Sequence, residues 1–200
     1  MKKAILTSII LILTITLYGQ EIKISVAPTV NAAPNYQGVD GGPGQKAKAG
    51  FSTTFEYSFR NDKKINLGFG LCYQFSQVEF TSNMNTGDFL GQTDKVNLLS
   101  FNLLSKYNLK KNFFLSFNPL INLDINYDTE SILDNQSGLG LSLSFGKRIK
   151  LNDNILLNIE PRLWIHNIIP FNKETYTDRL TIAGLNFGLV FRQKKLQLPE

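Results

Sequence analysis

Large apolar side chains recur at every second position in one stretch after another of this chain. Successive residues of a β-strand point to opposite faces, so each such stretch reads as a strand with one greasy and one polar face. The first sets Ile22, Ile24 and Val26 against Lys23, Ser25 and Ala27, and the second sets Phe51, Phe55, Tyr57 and Phe59 against Ser52, Thr54, Glu56 and Ser58. The third is the cleanest, with Ile65, Leu67, Phe69, Leu71, Tyr73 and Phe75 opposite Asn66, Gly68, Gly70, Cys72, Gln74 and Ser76. Five more follow at Leu99–Tyr107, Phe113–Tyr127, Gly138–Arg148, Ile155–His166 and Gly184–Arg192. Pro119 and Pro161 interrupt two of them, and each calls for a bulge because proline cannot donate to a ladder.

The connections alternate as well. Asn61–Lys64, Lys110–Asn112 and Leu151–Asn154 are tight, whereas residues 31–48, 82–94, 128–136 and 170–179 are long, the first of these rich in glycine and proline from Pro34 to Gly44. Short turns at one end and long loops at the other are the pattern of a transmembrane barrel with periplasmic turns and extracellular loops. The expected fold is therefore all-β: an eight-stranded antiparallel up-and-down transmembrane β-barrel, with both termini on the periplasmic side.

A lipocalin-like barrel alternates too, but its apolar side chains point inward. Size separates the two arrangements. About eight strands enclose a space that side chains just fill, and about 40 bulky residues could not fit inside it. Outward, they meet hydrocarbon, and the glycines, serines and asparagines of the other face suit a narrow interior. Aromatics gather toward strand ends, as in two interfacial girdles, and Lys147 is the one charge that the apolar face takes from the second to the eighth strand.

Ahead of the strands lie Met1-Lys2-Lys3, the apolar run Ala4–Leu17 and Tyr18-Gly19-Gln20, which fit a signal peptide cleaved after Gly19 or Gln20. The expected organisation is a leader over 1–20, a barrel over 21–192 and a short tail over 193–200. The formal charge of +5 is spread over turns such as Asn61-Asp62-Lys63-Lys64, so no basic face for nucleic acid is expected. A single cysteine, Cys72, excludes an intrachain disulfide.

Chemistry is sparse. One histidine, His166, and one cysteine leave no zinc set, and scattered loop carboxylates such as Asp88, Asp94, Asp128, Glu130 and Asp134 form no calcium loop. A lipid-hydrolysing barrel would pair its histidine with a serine two residues on, where this chain has Ile168. His166 reads as an interior residue beside a small neighbour such as Gly184. Catalytic residues, metals and cofactors are thus expected to be none. What remains is a set of inward charges, Lys23, Glu56, Arg148, Glu160, Arg162 and Arg192, expected to pair up and plug the lumen.

Taken together, the strands, the loop asymmetry and the last strand Ala183–Phe191, similar to an assembly signal read by the outer-membrane insertion machinery, resemble the OmpX-like and PorT-like barrels of Bacteroidota. The resemblance covers about residues 20–192; the tail after Arg192 departs from it. It implies an integral outer-membrane protein in contact with outer-membrane lipid and having a structural or surface role, with an envelope or secretion partner; the single histidine and the missing His-x-Ser or other catalytic motif add the expectation that it is not an enzyme. The alternatives are an outer-membrane lipid-modifying enzyme and a soluble periplasmic barrel binding a hydrophobic ligand.

Overall fold

In a computed structural model, all eight strands close into one barrel, β1 to β8 in chain order with β1 pairing back onto β8, every pair antiparallel. The structure describes residues 21–32, 44–61, 64–81, 92–129, 131, 133–172 and 179–192. The expected leader over 1–20, the glycine-rich stretch from Pro34, the loop around Asp88, Glu130 and the expected tail over 193–200 lie outside the described residues. The strands are β1 Glu21–Ala32, β2 Gly44–Asn61, β3 Ile65–Thr81, β4 Gln92–Asn108, β5 Phe113–Asp124, β6 Gly138–Lys150, β7 Ile155–Pro170 and β8 Thr181–Arg192. A single 3-10 turn, Lys110–Asn112, joins β4 to β5, with Lys111 and Asn112 in the left-handed region that so tight a reversal requires.

The facing follows the alternation. Val26, Leu103 and Phe117 stand 54–55% exposed on the outer wall, while their chain neighbours Ser25, Ala27, Asn102, Ser116 and Asn118 are buried. A belt of this extent would be insoluble in water and is stabilised by hydrocarbon. Aromatic pairs brace it at both levels: Phe51 with Tyr73 and Phe75, and Phe113 stacked on Phe145 with centroids 5.4 Å apart.

The prolines correct one expectation. Pro119 and Pro161 need no bulge. Each points outward and keeps its partner on one side, Leu141 and Leu185, while the ladder on its other side lapses without a change of register. A missing N–H removes one bond, not a residue's worth of spacing. The register shifts fall elsewhere: between Ala47 and Phe51, between Ser58 and Arg60, and opposite Leu139–Leu141, where Asn167 takes φ 51°.

Strand lengths differ more than the alternation predicts. β2, β3 and β4 run 18, 17 and 17 residues, against 12 for β1, β5 and β8. Beyond Phe75 and Leu99 the polarity inverts: Gln77, Glu79, Thr93 and Lys95 now point outward, and Val78, Phe80, Val96 and Leu98 are buried inside. Lys46 and Lys48 also reach Glu79 on the outer surface, Lys46 at 3.6 Å. The outward charges are therefore not confined to Lys147. The inversion is what a change of solvent demands, since a strand that leaves the hydrocarbon must show polar groups to water and can bury apolar ones behind them.

β5 is shorter than expected, ending at Asp124 rather than Tyr127. The Asn97 backbone N–H donates to the Asn126 side-chain oxygen at 2.7 Å, and the Asn126 amide donates to the Lys95 carbonyl at 3.1 Å. A side chain thus substitutes for the next rung, and the backbone is released to turn over the mouth of the barrel.

Candidate functional site

The lumen is filled in two layers. In the half nearer the short turns, Lys23 on β1, Glu56 on β2, Lys106 on β4, and Glu160 and Arg162 on β7 converge on one point. Glu56 accepts from Lys106 Nζ at 2.5 Å and from Arg162 Nη2 at 2.8 Å, and Lys23 Nζ lies 3.2 Å away. Glu160 accepts from Lys23 Nζ at 2.5 Å, from Arg162 Nη2, and from Asn186 Nδ2 at 3.3 Å. All five ionic side chains are buried to within 4%. Burying a carboxylate costs several kcal/mol unless cations and donors surround it, and here each meets at least two cations.

Glycine makes the convergence possible. A Cβ at Gly146 would collide with the Phe114 ring and with Glu160 Cβ, and one at Gly188 would lie 3.2 Å from Lys23 Cε. The aromatic faces serve as further partners: Lys106 Nζ stands 5.9 Å and the Arg148 guanidinium 5.4 Å from the Phe114 centroid, and the Arg162 guanidinium lies 5.6 Å from the Trp164 ring.

The inward charges thus fall into two groups. Lys23, Glu56, Glu160 and Arg162 share the central network, whereas Arg148 and Arg192 meet at the end of the barrel around Glu21, at 3.4 and 2.6 Å. Two members go beyond those the alternation singled out. Lys106 stood on the polar face of its segment but had no obvious partner, since Glu56 is not on an adjoining strand. Glu21 sat at the edge of the leader, one residue before the first alternating stretch.

The other half of the lumen departs from the expected polar interior. Val78, Phe80, Val96, Leu98, Leu120, Trp164, Leu180 and Ile182 form an apolar core there, joined by Leu133 from the segment after β5. That segment folds inward as a cap. The Leu133 N–H donates to Asp94 at 2.7 Å, the Leu180 N–H to the Gln136 side chain at 2.9 Å, and the Asn167 amide to the Asn135 carbonyl at 3.0 Å.

His166 is buried beneath this cap. Its backbone N–H donates to the Leu180 carbonyl at 2.9 Å, and neither ring nitrogen meets a hydrogen-bonding group of the described residues. Its small neighbour is Gly140, whose added Cβ would stand 3.3 Å from His166 Cα; Gly184 instead lies beside Trp164. Among the described residues no serine or carboxylate bonds to the imidazole in the manner of a nucleophile–base–orienter triad. Among the described residues no three metal-ligating side chains gather.

No protein-family model matches the chain, and no curated protein matches it. Solved structures do. Neisserial surface protein A is 14% identical, covering 86% of this chain and 96% of its own, with a TM-score of 0.51. The outer membrane protein OprG from Pseudomonas aeruginosa is 17% identical over 88% and 96%, with a TM-score of 0.47, and the outer membrane protein AlkL, solved in lipid bilayers, 14% over 92% of each, at 0.45. At such identities the likeness concerns fold. The architecture is that of the small eight-stranded outer-membrane β-barrels.

Proposed function

We propose that this chain is a non-enzymatic integral outer-membrane barrel that works through its outer surface, its lumen being closed. The short turns and both termini face the periplasm, and residues 1–20 are the leader removed on export. The observation that carries the reading is the polarity inversion along β2–β4. The three strands rise past the aromatic level as a sheet whose inner face, with Val78, Phe80, Val96 and Leu98, blocks the lumen and whose outer face turns Gln77, Glu79, Thr93 and Lys95 to water.

This raised sheet has incomplete flanks. The β1–β2 ladder stops at Asn31 and Lys48, and the β4–β5 ladder begins only at Leu98 and Asp124. On β4 the Asn126 side chain and the Ile125 N–H already take up the backbone groups of Asn97 and Lys95, so among the described residues the β2 edge beyond Lys48 is the one that would offer donors and acceptors to a partner strand. A surface or envelope protein engaged there suits the sheet, and the PorT-like resemblance suggests a secretion assembly as its setting.

Cysteine labelling tests the placement. In intact cells a membrane-impermeant maleimide should label Lys95→Cys and spare Asn152→Cys until the outer membrane is opened; the native Cys72 is fully buried and silent. Equal labelling of Asn152→Cys in intact cells would reverse the orientation. Recovery of the processed chain in the soluble periplasmic fraction would remove the membrane assignment altogether. Sequencing of the mature N-terminus should begin at Gln20 or Glu21.

A further inference from the structure

Lys147 is an anomaly on the outer wall. It points outward from β6, with Leu143 and Phe145 on one side of it and Ile149 and Leu151 on the other. Its ammonium stands 5.3 Å from the Phe113 ring, which stacks on Phe145 at an interplanar angle of 8°. A lipid-facing lysine is destabilising at the midplane and tolerated near the interface, where its stem can lie along apolar surface. The turn Lys110–Asn112 packs against β6 and adds two exposed lysines to the same corner. Lys150 is engaged by Asp153 at 2.7 Å, whereas Lys147, Lys110 and Lys111 face no carboxylate among the described residues.

The wall beside this corner is concave. A groove of about 740 Å³ runs across β4–β8 between Tyr107, Phe117, Phe145 and Leu163, and the small outward residues Ser105 and Ala183 deepen it. Volumes of this size accommodate a ligand rather than single solvent molecules. The groove begins at the next outward-facing pair from Lys147, since Phe145 pairs with Leu115 two positions along from the Lys147–Phe113 pair.

We infer that this face binds one anionic phospholipid of the leaflet beside the short turns, its phosphate on Lys147, Lys110 and Lys111 and an acyl chain in the groove. The site rests on the membrane-embedded reading above. It deepens that reading by naming a lipid class, because three lysines with no carboxylate partner among the described residues favour a net negative headgroup over a zwitterionic one.

The full barrel, refolded into vesicles of equal parts phosphatidylglycerol and phosphatidylethanolamine, is released in mild detergent, and its retained lipid is identified by native mass spectrometry. Phosphatidylglycerol should be enriched on the wild type, and the enrichment should fall about fivefold for each lysine replaced by glutamine. Ser105→Leu with Ala183→Leu, which fills the groove with lipid-compatible side chains, should lower retention of both lipids alike. Unchanged enrichment in the triple lysine variant, or an inserted, heat-modifiable wild type with no preference, would overturn this site alone. Failure of the wild type to insert would overturn the membrane reading beneath it.

Discussion

Glu56 is the residue whose loss the lumen can least absorb. Three cations approach it, and Glu160 is the only other carboxylate of that network. Glu56→Gln keeps the shape but leaves Lys106 without its carboxylate and halves the negative charge facing Lys23 and Arg162. Breaking a buried ionic cluster by removing one partner costs about 3–5 kcal/mol. Denaturant titration of the vesicle-embedded barrel should show that loss, and a midpoint equal to wild type would mean that water, not protein, solvates these ions. On the outer wall the sign of a charge matters less than its depth. Leu141→Arg places a cation on the lipid face of β6, where the midplane cost is about 2–4 kcal/mol, and should reduce the membrane-inserted fraction on a boiled-versus-unboiled gel. Wild-type assembly of this variant would argue against the outward facing of its strand.

At the scale of the element, the cap after β5 is held more by one apolar anchor than by its polar contacts. Leu133 is 1% exposed, seated in the core formed by Val78, Phe80, Val96 and Leu98. Leu133→Ala should cost about 2–5 kcal/mol, and because the cap is a loop the loss should appear as local opening. The measurement is protease cleavage between residues 128 and 136 on intact cells, faster in the variant while the barrel stays heat-modifiable. A variant as resistant as wild type would show that the cap is held by its polar contacts with Asp94, Asn167 and Leu180. The eight strands, their order and their facing were legible because one period and one polarity run through each membrane segment, as from Ile65 to Phe75. The rising ends of β2–β4 were not, since their period persists while their polarity reverses at Val78 and Phe80, and a search for a single greasy face stops there. The cap was hidden for a different reason: Leu133 and Gln136 obey no repeat, and only the finished mouth of the barrel supplies their partners. The inward charges were legible as a set, but their grouping was not. Lys106 on β4 reaches past β3 to Glu56 on β2, Arg162 comes to the same carboxylate from β7, and a two-residue period contains no information about strands that are not neighbours.

The whole molecule behaves as two barrels in series that share one wall. Inside the bilayer, hydrocarbon satisfies the outer face, so the interior is free to be polar and is closed by ion pairs around Glu56 and Glu160. Above it, water satisfies the outer face, and the same lumen closes by burying Phe80, Leu98, Trp164 and Leu133, as a soluble protein would. Two dissimilar seals in one conduit make a specific prediction about conductance. Wild type in planar bilayers should be silent. Glu56→Gln should remain silent because the apolar core still spans the bore, and Phe80→Ala with Trp164→Ala should remain silent because the ionic layer still does. Only the combination of all three substitutions should give ion current, with its folded state checked by the gel shift. Current through wild type would remove the closed lumen on which the surface role depends. Current through Phe80→Ala with Trp164→Ala alone would show that the charged layer is permeable and that the apolar core is the only seal.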